Sequence, residues 1–128
     1  MSSWYYLVAQ LPTLSLDTEV PMPITEEYFL ELASRFLDKK SLKTLSELTL
    51  EPPKEVSKVS STLVKKWFDF ERTLRFALAE IRARRLKKEV DIQQKECPAF
   101  ILEIARTACG FESPLEAELY LAKQRMNY

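Results

Sequence analysis

Between Trp67 and Arg85 apolar and charged residues alternate with a single period. Trp67, Phe70, Leu74, Ala77, Leu78 and Ile81 recur at steps of three and four, the spacing of one stripe along an α-helix. Neither Gly nor Pro interrupts the chain between Ser61 and Cys97. The pattern therefore predicts one long central helix over residues 61 to about 90. The stripe is apolar only to Ile81, because the positions that continue it are Arg85 and Lys88. Past Ile81 the helix is expected to leave the core, to end, or to meet a partner. The polar segment from Asp91 to Glu96 reads as a loop.

The same pattern divides the rest of the chain. Residues 4 to 16 form an almost continuous apolar run with no charge before Asp17. Its length fits a buried strand or a short core helix, and periodicity does not separate the two. Pro12 confines any helix to the residues before it. Pro21 and Pro23 mark a connector to Thr25, an expected N-cap followed by Glu26 and Glu27, where the helix dipole favours negative charge. The helix this predicts has Tyr28, Phe29, Leu32, Ala33, Phe36 and Leu37 on its apolar face and Lys39 and Lys40 at its C-terminal end. Ser41 is expected to cap a shorter helix with Leu42, Leu45 and Leu48 on one side. Pro52, Pro53 and the polar run to Ser61 read as a loop.

After Cys97, Pro98 suits a first helical position, and Gly110 suits the left-handed position just past a helix end. The helix between them carries Phe100, Ile101, Ile104, Ala105 and Ala108 on one face. Ser113, Pro114 and Glu116 spell a capping box with proline at the first position, opening a last helix whose stripe is Leu115, Leu119, Ala122 and Met126. That stripe is unfinished at Asn127 and Tyr128. The expectation is an all-α fold of about five helices around the long central one, in a single domain over residues 1–128.

Composition supports the helical reading. A single Gly in 128 residues is too few for the tight turns of sandwiches and barrels or for phosphate-binding loops. Nineteen basic and nineteen acidic residues cancel, so no global field favours DNA or an anionic membrane. The charge is uneven, however. Residues 60–96 carry ten Lys or Arg against six Asp or Glu, while residues 1–59 carry six against nine. The positive charge sits on the central helix. Two cysteines make no disulfide framework, no secretory leader is apparent, and no apolar run approaches the ~20 residues of a membrane span. A cytoplasmic protein is expected.

Candidate chemistry is sparse. The chain has no His, the commonest general base and metal ligand. Cys97 and Cys109 stand twelve apart without companion ligands, and acid pairs such as Glu26 with Glu27 are explained by helix-start electrostatics. No enzyme activity, cofactor or metal is expected. The basic run Arg82, Arg84, Arg85, Lys87 and Lys88 is the sharper feature. Arg84, Arg85, Lys87 and Lys88 span less than half the helix circumference, which would suit phosphate contacts. No aromatic residue interleaves the run as single-strand binding requires, and Glu80, Glu89 and Asp91 flank it. A solvated or protein-contacting face is the better reading. Phe76 faces away from Trp67 and Leu74, toward a second layer or a partner.

Three stretches together resemble a known family. They are Tyr5, Tyr6, Leu7, Val8, Ala9, Leu11 and Pro12; then Trp67, Phe70, Leu74, Arg75, Leu78, Arg82, Ala83 and Arg85; and finally Ser113, Pro114, Leu115, Glu116, Ala117 and Glu118. In order and spacing they look like the YYLVAxLP opening, the W-x-x-F-x-x-x-L-R-x-x-L-x-x-x-R-A-x-R helix and the N-P-L-E-A-E turn of a bacterial family encoded among the genes of V/A-type rotary ATPases. That family is similar to the central-stalk C (d) subunit. Ser113 replaces the Asn of the last motif. Full members are longer and continue past the position of Met126, so the resemblance implies that this chain is an N-terminal half.

It also implies a non-catalytic helical part that seats the rotating shaft on the membrane rotor, peripheral to the inner membrane through shaft and rotor subunits. Arg75, Arg82, Arg84, Arg85 and Lys88 are the expected partner contacts, although Arg75 and Arg82 share a flank and are as readily paired with the family's missing half. The alternative is a stand-alone helical module that binds nucleic acid or another protein through the basic helix. Self-association through the unfinished last helix is a further expectation.

Overall fold

The computed structural model describes residues 4–17, 19–54, 59, 61–87 and 97–128. These form six helices and no strand: α1 (Trp4–Gln10), α2 (Glu26–Phe36), α3 (Lys39–Ser46), α4 (Thr62–Arg85), α5 (Ala99–Gly110) and α6 (Pro114–Asn127). The fold is all-α, as the pattern requires. No helix is long and apolar enough to cross a membrane among the described residues. The chain divides into two compact units, Met1–Thr49 and Leu50–Tyr128.

In the first unit the ambiguous apolar run proves to be a helix, α1, which stops two residues before Pro12. Only Leu7 of that helix is buried, and it packs with Leu32 and Ala33 of α2. Trp4, Tyr5, Tyr6 and Val8 are exposed. Thr25 caps α2 by accepting the Tyr28 N–H at 3.1 Å. Leu32 and Ala33 are the buried centre of the expected face, flanked by Phe36 and Leu37, while Tyr28 is exposed.

The next helix starts earlier than the sequence suggests. Asp38, not Ser41, is the N-cap of α3, and its carboxylate accepts the Ser41 N–H at 3.0 Å. A charged acceptor meets the positive end of the helix dipole more strongly than a serine hydroxyl does. Lys39 and Lys40 consequently open α3 instead of closing α2. Leu42 and Leu45 pack toward the first unit's core, and Leu48 lies beyond the helix end.

The second unit is built on α4. Ser61 caps it through the Val64 N–H, so the start agrees with the loop reading. Its main cluster joins Phe70, Leu74, Ala77 and Leu78 to Ile101, Ala105, Ala108 and Cys109 of α5 and Leu121 of α6. A second cluster of Val59, Val64 and Phe68 lies on another face, and Trp67 touches both. This accounts for aromatic residues spread so widely around the helix. Phe70 also stacks on Tyr128 at 4.0 Å between ring centroids.

Three expectations here are corrected. First, α4 has 24 residues and ends at Arg85, short of the expected end near residue 90. Its stripe has no apolar residue left to bury, and Lys87 turns the backbone into the left-handed region at φ 54°. The segment from Asp91 to Glu96, expected to be a loop, lies outside the described residues. Second, Gly110 is the last residue of α5 and does not have a positive φ. Pro98 sits at the N-cap, one position before the first helical residue. Third, α6 is capped by Ser113 as expected, but it buries Ala117 and Leu121. The stripe Leu115, Leu119, Ala122 and Met126 lies on the opposite side, and all but the half-buried Ala122 are exposed.

Candidate functional site

The most concentrated polar chemistry in the described residues lies on one flank of α4. Glu71 is 3% exposed, the one buried charged side chain among them. It follows Phe70 and precedes Leu74 on the face that α4 turns toward α6, so helical spacing alone carries it inward. Burying a carboxylate is costly unless it is paired and hydrogen-bonded, and here three donors meet it. Arg125 of α6 donates through Nε to Oε2 at 2.9 Å and through Nη2 to Oε1 at 2.8 Å, a two-pronged arrangement that matches guanidinium to carboxylate. Arg75, one turn along α4, donates through Nε to Oε1 at 3.0 Å.

Arg75 also reaches outward. Its Nη2 donates to the Leu50 carbonyl at 3.0 Å, and Glu51 approaches at 3.8 Å. Arg72 donates to the Pro53 carbonyl. The two arginines thus pin the loop around Pro52 and Pro53 onto α4. Between loop and helix lies a groove of about 370 Å³ lined by Glu51, Pro52, Lys54, Arg72, Arg75 and Phe76. Phe76, which the helical wheel points away from the core, forms one wall and is 38% exposed. Its second layer is this loop.

A separate group of basic residues occupies the C-terminal end of α4. Arg82 is exposed, and its side chain makes no hydrogen bond or ion pair with the described residues. Arg84 pairs with Glu80 at 2.5 Å across one helical turn. Arg85 donates to the Cys109 carbonyl near the end of α5. A guanidinium there satisfies a carbonyl that the helix leaves without a partner and meets the negative end of its dipole. It also fixes the ends of α4 and α5 together. Lys88 lies outside the described residues.

The structure thus separates the residues singled out in the sequence. Arg75 belongs to the inward network about two turns before the others, roughly 10 Å along the axis at 1.5 Å per residue. Arg82, Arg84 and Arg85 share the helix end, and of the three side chains only that of Arg82 is unengaged among the described residues. Glu71, Arg72 and Arg125 were not singled out. The Glu71–Arg75 pair was legible, since a glutamate four residues before an arginine is the favoured helical orientation. Arg125, 54 residues beyond Glu71, left no local signal.

Further chemistry is thin. Cys97 is half-buried and Cys109 buried, and no disulfide joins them. No group of three or more His, Cys, Asp or Glu is placed to hold a metal among the described residues. In the first unit an apolar hollow of about 500 Å³ is lined chiefly by Leu11, Pro12, Leu14, Met22, Ile24 and Phe29.

Comparison with known proteins adds a family. Residues 19–114 match the sequence profile described as "Protein of unknown function (DUF2764)". No curated protein and no solved structure matches the chain.

Proposed function

This chain belongs to the DUF2764 family, and we propose that it works as a non-catalytic subunit of a V/A-type rotary ATPase that helps couple the central shaft to the membrane rotor. The reading starts from the three motif stretches that resemble the central-stalk family. The observation that carries it furthest is the end of α4. There Arg82 stands exposed on a helix terminus that Arg85 fastens to the Cys109 carbonyl of α5. A cation on a fixed helix end is preorganised for a protein surface in its backbone, because little backbone freedom remains to be lost on docking. The buried Glu71 network stiffens the same helix nearer its start.

In this role the protein is cytoplasmic and reaches the inner membrane through shaft and rotor subunits. The nucleic-acid alternative draws less support. Arg84 is neutralised by Glu80 and Arg85 is committed to a carbonyl, which leaves few cations for the counterion release that drives phosphate binding. A pull-down from the source cells, with the tagged chain as bait, tests the proposal. Shaft or rotor subunits should be recovered, and Arg82→Glu should reduce the recovery. Their absence from the wild-type eluate removes the proposal, and salt-dependent retention of RNA or DNA in their place installs the alternative.

A further inference from the structure

We infer that α6 is a self-association surface on which two copies of this chain meet antiparallel. The argument begins with the face that α6 leaves uncovered. Ala117 and Leu121 bind the helix to its own unit, and on the far side Leu115 is 63%, Leu119 40% and Met126 60% exposed. With Ala122 these residues recur at steps of four, three and four, which is one continuous stripe. From Leu115 to Met126 it runs about 16 Å at 1.5 Å per residue.

The charges beside the stripe identify what covers it. Other helices pair their charges internally, with Glu31–Arg35 in α2 and Glu71–Arg75 and Glu80–Arg84 in α4. On α6 the charges are sorted by end. Glu116 and Glu118 lie at the start, Lys123 and Arg125 at the finish, and none has an opposite charge three or four positions away within the helix. Glu116, Glu118 and Lys123 make no ion pair among the described residues.

A helix acidic at one end and basic at the other is complementary to a reversed copy of itself. Reversal in the register that sets Leu115 against Met126 of the second copy also sets Leu119 against Ala122 of the second copy. Glu116 and Lys123 fall on one flank of the stripe, Glu118 and Arg125 on the other. A two-fold axis brings each flank against the same flank of its mate, as in any isologous contact. Glu116 therefore faces Lys123 of the second copy, and Glu118 faces Arg125 of the second copy. Apolar seam and charged rims are satisfied by one register. Arg125 is already bound to Glu71, so the Glu116–Lys123 flank carries most of the discrimination.

One helix face is small beside the ~1,200 Å² at which stable assemblies begin. The dimer is accordingly weak, with a Kd on the order of 10–100 µM. Sedimentation velocity of the whole chain from 1 µM to 1 mM tests this, with the probe being the protein itself. Wild type should move from monomer toward dimer across that range. Leu119→Glu, at an exposed position, should weaken association at least tenfold while circular dichroism shows an unchanged helix content. Glu116→Lys and Lys123→Glu should each weaken it alone, and an equimolar mixture of the two single variants should restore it, because each supplies the charge the other has lost. Restoration on mixing reads the antiparallel pairing even if either variant is less stable. Wild type that stays monomeric to 1 mM overturns the inference and leaves the stripe to a different chain. A dimer insensitive to all three substitutions overturns it equally.

Discussion

Glu71 shows at a single residue why a charge inside this helical unit is tolerable. Its three hydrogen bonds come from two arginines of unequal burial, Arg125 with a side chain 25% exposed and Arg75 with one 40% exposed. Removing a partner from a buried ion pair costs far more than the pair contributes, because the remaining charge stays desolvated. Arg125→Ala should therefore destabilise the chain by about 3 kcal/mol, whereas Arg75→Ala, at the more solvated position, should cost about 1 kcal/mol. Urea unfolding of the two variants checks the order, and equal losses would mean that the two-pronged contact has no special weight. A second residue gives a pH test. The Ser41 side chain and backbone N–H hydrogen-bond to Asp38 and hold its carboxyl below the usual carboxylate range. A depressed carboxylate stabilises the folded state above its unfolded pKa and loses that contribution as pH falls through the folded value. Acidification below the normal aspartate range should fray the start of α3, seen as faster exchange of the Ser41 amide, and Asp38→Asn should remove the pH dependence.

At the scale of the helix, sequence reading succeeded wherever the signal was local. Thr25 and Ser113 cap α2 and α6 as their positions suggest, because a cap needs only a side chain and an N–H two or three residues away. It faltered where two local rules competed, as at Asp38 and Ser41, or where the deciding partner was distant. The stripe of α6 illustrates the second failure. Periodicity found its apolar residues but could not say which face would meet α5, and Ala117 and Leu121 took that place. Gly110 makes a third case. A glycine near a helix end invites the left-handed reading, yet this one is helical, and a Cβ added there would meet nothing within 4 Å. Gly110→Ala should consequently stabilise the protein by about 0.5–1 kcal/mol. At the end of α4 the left-handed residue is Lys87, and Lys87→Gly should be stabilising by a comparable amount, about 0.5–1 kcal/mol. Thermal unfolding distinguishes these outcomes from the losses expected if the two positions were exchanged.

At the scale of the whole molecule the two units differ in what holds them together. The second buries Phe68, Phe70, Leu74, Ala77, Leu78, Ile101, Ala105, Ala108 and Leu121 and adds the Glu71 ion pairs, all anchored on a helix of 24 residues. The first has helices of 7, 11 and 8 residues, each shorter than the ~12–15 residues at which isolated helices become even marginally stable in water. Its buried apolar centre is Leu7, Leu32 and Ala33. Helices this short depend on tertiary contacts, and few are available there. Local stability should therefore be graded along the chain, with the first unit opening well before the second. Native-state hydrogen exchange reads this directly. Amides of α2 and α3 should exchange at least tenfold faster than those in the middle of α4, and a chain restricted to residues 50–128 should keep a cooperative unfolding transition. If α2 amides are instead as protected as those around Leu74, the first unit draws stability from contacts beyond its own core, and loss of residues 1–49 should then lower the melting temperature of the remainder.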